Sequence, residues 1–292
     1  MLRTLRLIAV LLALVADSSA RAQDAVPCTT SDGGYPGQHV STPNDWIYPV
    51  WSAACKSLPT PNAQLACATF NLEDWPRLSR YAAANACVPG AKAGETRVVF
   101  MGDSITDNWS SPRMGGFFPG KPYINRGISG QTTPQMLVRF RADVIAHKPQ
   151  AVVILAGTND IGGNTGPTTL QDIQNNLASM ADLARANGIA VVLASLLPVS
   201  GEIKGADGKP LFSPSARRVN MNSQLNAWLK DFTRAHKYVF LDYAHALTDA
   251  QGNFDSRYTY DGLHPNAEGY AVMAPLAEQA IAVAIKSRKK MR

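Results

Sequence analysis

The sequence predicts an α/β fold over residues 96–292, a parallel sheet covered by helices on both faces. Two observations predict it. Short apolar runs at 98–101, 123–124, 151–156, 189–195 and 238–241 alternate with amphipathic stretches of helical length, the pattern that builds parallel sheets. The first three runs each lead into turn chemistry that carries a polar or glycine residue, at Ser104, Gly130 and Asn159. In open sheets of this kind ligands sit beyond the carboxyl ends of the strands, so these residues are expected at one rim.

The elements follow in chain order. Residues 1–22 place Arg3 and Arg6 before the apolar Leu7–Val15 and end on Ala20-Arg-Ala22, the layout of a secretory signal cleaved after Ala22. The apolar core has about half of the roughly 20 residues a membrane anchor needs. A secreted or periplasmic chain is therefore expected, with no transmembrane anchor in its mature form. Residues 23–95 are Pro-, Gly-, Ser- and Thr-rich at first, hold Trp46, Trp51 and Trp75, and offer one helical stretch near 76–85. This segment reads as an extension packed on the main domain. It contains all four cysteines, Cys28, Cys55, Cys67 and Cys87, whose spacing lacks the paired C-x₂-C of zinc sites. In an oxidising compartment two disulfides are expected, with three connectivities open.

Within the main domain, Thr133 is expected to cap a helix with Pro134 in its first turn. Met136, Leu137, Phe140, Val144 and Ile145 fall on one face of that helix before Lys148-Pro149 stops it. Leu170, Ile173, Leu177, Met180 and Leu183 mark a second helix that ends at Asn187-Gly188, a left-handed stop. A third runs through Val219–Phe232 and a last from Asn266 to about Lys286. Their stripes are core.

The formal charge is +6. Without residues 1–22 it is +4, and five basic residues crowd the last seven positions, leaving the body near −1. Because the excess is a tail without interleaved aromatics, no nucleic-acid partner is expected.

Ser104, in Gly102-Asp-Ser104, stands where an apolar run stops. Serine needs a base within hydrogen-bond reach and a third group to orient that base. Of five histidines, His39 lies in the extension, and His147 and His236 end helices, where a cation is sufficiently explained. His245 and His264 both occur in Asp-x-x-His, as Asp242-Tyr-Ala-His245 and Asp261-Gly-Leu-His264. Gly262 and Pro265 make the second a tight turn that aims Asp261 and His264 together, whereas His245 fits a solvent-facing helical position. His264 is the expected base. Gly130 allows close approach of a backbone N–H, Ser104 offers its own N–H at a helix start, and the Asn159 amide is a third donor for an oxyanion.

These residues carry a resemblance. Gly102-Asp-Ser-Ile105, the Gly130 segment, Gly157-Thr-Asn159-Asp160 and Asp261-x-x-His264 are similar, in order and separation, to the four blocks of the SGNH or GDSL hydrolases across about residues 96–285. The resemblance implies a flavodoxin-like, doubly wound three-layer α/β/α fold. It implies ester hydrolysis through an acyl-enzyme, with Ser104 as nucleophile, His264 as base and Asp261 as its partner. Ser104, Gly130 and Asn159 form the implied oxyanion hole, without cofactor or metal. Ile105 replaces the Leu of the name-giving motif at similar volume. An α/β-hydrolase elbow, G-x-S-x-G, is excluded by Thr106.

The expected substrate is a small-molecule or glycan ester with a short acyl group. The same triad serves lysophospholipase, thioesterase-like or acyltransferase chemistry, and a carbohydrate- or lipid-binding protein of the same fold is the non-enzyme alternative. Trp109, Phe117 and Phe118 are expected to form an acyl-binding wall, a sugar platform or simple packing beneath the loop, and 201–214 a mobile lid.

Overall fold

The computed structural model describes residues 59–291; residues 1–22, with the expected signal, and Cys28, Cys55, His39, Trp46 and Trp51 lie outside them. Helix α1 (Pro61–Glu73) leads to a 3₁₀ turn at Leu78–Tyr81 and a short α2 (Ala82–Cys87). The stretch expected near 76–85 is thus helical, while α1 is an addition to the sequence reading.

Five parallel strands follow: β1 (Val98–Gly102), β2 (Tyr123–Gly127), β3 (Ala151–Leu155), β4 (Ala190–Ala194) and β5 (Val239–Leu241), in the order β2-β1-β3-β4-β5. This is the flavodoxin-like doubly wound order. Each strand from β1 to β4 is buried throughout, which requires cover on both faces.

Alternate residues divide the core. Val98, Phe100, Val153 and Val192 face the last helix, α9 (Ala267–Met291), through Met273, Ala277 and Ile281. Short helices α3 (Ser104–Asn108) and α8 (Tyr243–Leu247) pack in the same layer. Val99, Met101, Val152, Ile154 and Leu193 face α4 (Thr133–Asp143), α6 (Leu170–Ala186) and α7 (Ala216–His236) through Met136, Phe140, Ile173, Leu177 and Leu225. The remaining short helix, α5 (Thr158–Gly162), follows β3.

The cap of α4 is Thr132, not Thr133. Gln135 returns a bond to the Thr132 N–H in a capping box, so the Thr-x-x-Gln pattern starts one residue earlier than the proline suggested. Helix α6 ends as expected at Asn187, with Gly188 at φ 67°.

Candidate active site

Strand order reverses between β1 and β3, so the connections that follow these two strands leave in opposite directions and open a crevice at the carboxyl rim. Ser104 follows β1 and Asn159 follows β3, one on each side, while Gly130 follows the adjacent β2. Asp103 caps α3 by accepting the Ile105 N–H at 2.9 Å, which fixes Ser104 as the first helical residue. Gly102 is obligatory beneath it, since a Cβ there would lie 2.1 Å from Thr106 Oγ1.

The fourth segment arrives from the far side of the sheet, between β5 and α9. Ser104 Oγ lies 3.0 Å from His264 Nε2, and His264 Nδ1 lies 2.7 Å from Asp261 Oδ2. Because Asp261 can only accept, the imidazole proton sits on Nδ1 and Nε2 is left to take a proton from the hydroxyl. Asp261 Oδ1 accepts the N–H groups of Leu263 and His264 at 2.8 and 2.7 Å. The turn places both members of the pair because Gly262 adopts φ 90° and approaches Ser200; a Cβ there would fall 2.1 Å from the Ser200 carbonyl oxygen. Burial alone would raise the Asp261 carboxyl, but its bonds and attraction to His264 and the two backbone donors hold it below the ordinary value.

The three expected donors share the rim. Neither the Ser104 nor the Gly130 N–H donates to a protein acceptor among the described residues. Gly130 has φ 78°, a backbone that side chains resist. The Asn159 amide donates to the Gln131 carbonyl at 3.0 Å, tying the β3 side of the crevice to the Gly130 loop.

Other expected residues are placed elsewhere. His245 is exposed in α8, where Asp242 Oδ1 caps its N–H; this Asp-x-x-His is a helix start. His236 is exposed at the end of α7, as expected. His147 is not a cation at a helix end: it is buried, bonds Asn85 Oδ1 at 2.8 Å, and is brought down to about 4 by burial and Arg126. Trp109 is buried against Phe100 and Tyr270, and Phe118 against Phe100 and Tyr123, so both pack as core and form no platform. The 201–214 segment is held across its own base, Leu211 N–H donating to Ile203 and Gly205 N–H to Lys209, each at 2.8 Å.

Two residues escaped the sequence reading. Tyr260 stacks on His264, ring centroids 5.7 Å apart and planes 10° from parallel, while 42% exposed; its phenol is pushed up to about 12 by burial and Asp261. Only its place beside Asp261 could have signalled it. Asp103 is wholly buried, with one carboxylate oxygen unpartnered among the described residues. Its carboxyl is pushed up to about 6, chiefly by burial.

The model of the GDSL-like lipase/acylhydrolase family matches residues 100–272, from β1 into α9. The chain belongs to that family. Its family is one of lipases and acylhydrolases. A GDSL-like lipase of Bacteroides thetaiotaomicron is 39% identical, covering 71% of this chain and 98% of its own at a TM-score of 0.63. An acetylxylan esterase of Geobacillus stearothermophilus is 24% identical over 208 residues, 61% of this chain and 90% of that protein. An N-acylneuraminate cytidylyltransferase of Escherichia coli is 27% identical over 179 residues, 60% of this chain and 38% of that protein. The chain spans only about a third of the length of this and two further curated relatives.

Proposed function

We propose that this GDSL-like acylhydrolase is an exported serine esterase that removes short acyl groups, acetyl above all, from glycan or small alcohol esters. The observation that carries the reading is the continuous relay from Ser104 Oγ through His264 to Asp261, with both spacings at hydrogen-bond distance. In this mechanism His264 Nε2 takes the hydroxyl proton as Ser104 Oγ attacks the ester carbonyl. Asp261 stabilises the imidazolium that forms and stays ionised. The developing oxyanion is met by the N–H groups of Ser104 and Gly130 and the Asn159 amide. His264 then returns the proton to the leaving alcohol, and water repeats the sequence on the acyl-enzyme.

Two features support an acetylated sugar. Two relatives are acetylxylan esterases, and the exposed Tyr260 ring is suited to a sugar face. Export is supported by the signal-like residues 1–22. Two disulfides are proposed in the mature chain; the disulfide-bonded state of Cys67 and Cys87, with no free cysteine among the described residues, supports them.

The test is an assay of the mature chain on aryl acetates, long-chain aryl esters, a lysophospholipid and acetylated xylo-oligosaccharides. Turnover of the acetyl substrates is expected to dominate and to vanish in Ser104→Ala and His264→Ala. Rates that climb with acyl length past about eight carbons, where each methylene adds roughly 0.8 kcal/mol of burial, would overturn the substrate class. Activity surviving in both variants would overturn the mechanism.

A further inference from the structure

The loop that carries Gly130 is gripped from outside by the segment that precedes the sheet. Four residues of Arg126–Gln131 are reached. Asn85 Oδ1 accepts from Arg126 Nε at 2.9 Å, and the Tyr81 hydroxyl donates to the Gly127 carbonyl. Arg80 pairs with Asp107 at 3.5 Å, and the same Asp107 carboxylate accepts both the N–H and the hydroxyl of Ser129, at 3.1 and 2.8 Å. The Gln131 side chain donates to the Pro76 carbonyl at 2.8 Å, while its backbone carbonyl accepts the Asn159 amide. The two neighbours of Gly130, Ser129 and Gln131, are thus each tied to the extension.

Gln131 is fully buried and its amide oxygen is taken by Arg139 Nε at 2.6 Å. Gln135, also fully buried, repeats the device one residue back by donating to the Trp75 carbonyl at 2.8 Å. A peptide with φ 78° can swing easily when unsupported, and a misplacement of about 1 Å in an active site costs up to about a hundredfold. Neither brace touches the nucleophile or its base.

We infer that the extension serves catalysis as a brace, with Arg80 and Gln131 as positioning residues that hold the Gly130 N–H and the Asn159 amide where the oxyanion forms. The inference rests on the proposed roles of Gly130 and Asn159. Arg80 acts through Asp107 and Ser129; Gln131 acts through its own carbonyl on Asn159.

The experiment uses the full mature chain and an aryl acetate, with Arg80→Met, Arg80→Lys, Gln131→Met, Asn159→Ala and the double variant Gln131→Met/Asn159→Ala. Arg80→Met and Gln131→Met are expected to lower kcat roughly tenfold or more with KM within about twofold, because donors to a developing charge act in the transition state. Arg80→Lys restores most of the loss. The double variant falls no more than about twofold below Asn159→Ala, since two changes on one path do not add. Unchanged kcat in both brace variants, a change in KM or thermal stability alone, or full additivity with Asn159→Ala overturns the inference. If Gln131→Met does not fold, the partly exposed Arg80 pair decides alone. Ser104→Ala separates the two levels: residual turnover there defeats the serine mechanism itself, whereas an inactive Ser104→Ala beside fully active brace variants defeats only the brace.

Discussion

Asp103 and Asp261 are carboxylates of one rim driven in opposite directions. Burial raises Asp103 to about 6, whereas its partners hold Asp261 below its ordinary value. The signs differ accordingly. Between the unfolded carboxyl value, about 3.9, and about 6, folded Asp103 binds more protons than the unfolded chain, so its contribution to stability rises as pH falls. Asp261 contributes stability above its unfolded value and loses it in more acid solution. Asp103→Asn keeps an oxygen for the Ile105 N–H and removes the buried charge. Its melting temperature should exceed that of the parent at pH 8, and the difference should shrink toward pH 4. A constant difference across that range would show that Asp103 is not titrating in the fold. At the β3 side of the crevice, Asn159→Ala should lower kcat by roughly 10²–10³ with little change in KM, as loss of an oxyanion donor does. His245→Ala should leave turnover within a few-fold, because the Asp242 pair only caps α8.

At the scale of elements, Gly262 and His147 are each buried where two segments meet. Gly262→Ala must relieve a 2.1 Å approach to Ser200 while holding φ 90°. Strain of about 1–3 kcal/mol should appear as a lower unfolding midpoint and, since Asp261 and His264 flank the turn, as a lost kcat; an unperturbed midpoint would contradict the turn described. His147 joins the end of α4 to α2 through Asn85. Held near 4 against an unfolded value of about 6.5, it binds fewer protons folded than unfolded over that window. Its contribution is present above about 6.5 and lost as pH falls through the window. His147→Gln should therefore reduce the acid sensitivity of the midpoint between pH 6.5 and 4.

The same elements explain what the sequence could reveal. Strands buried on both faces are written as short apolar runs, and Gly-Asp-Ser, Gly130, Asn159 and Asp261-x-x-His264 stand where those runs or the last helix meet the rim. Helix α1 left no such trace: its Leu65 and Leu72 are exposed, so no apolar stripe marks it. His147 misled because burial, invisible in a spacing, decides whether a histidine at a helix end is a cation. Trp109 and Phe118 stayed open between wall, platform and packing because proximity to the nucleophile in sequence does not decide which side of α3 an aromatic ring takes.

At the scale of the molecule, the question is whether residues 96–292 stand alone as the composition suggests. Six contacts argue that they depend on what precedes them. Arg126 is fully buried, receives the Tyr81 ring at 4.7 Å and donates to Asn85. Gln131 and Gln135 reach the Pro76 and Trp75 carbonyls, the Gly127 carbonyl accepts from Tyr81, and Asp143 accepts from Asn85 at 2.7 Å. Each group left unpartnered in a buried site costs about 1–3 kcal/mol, and a lone buried arginine more. Water entering the vacated surface offsets part of this, yet the sum is comparable with the whole stability of a typical domain, about 5–15 kcal/mol. A chain beginning at residue 96 should therefore be insoluble or melt without a cooperative transition, while the chain from residue 23 should unfold in one step. A fragment 96–292 that melted cooperatively at the parent's temperature would show the extension to be a separable appendage and would remove the physical basis for its grip on the rim.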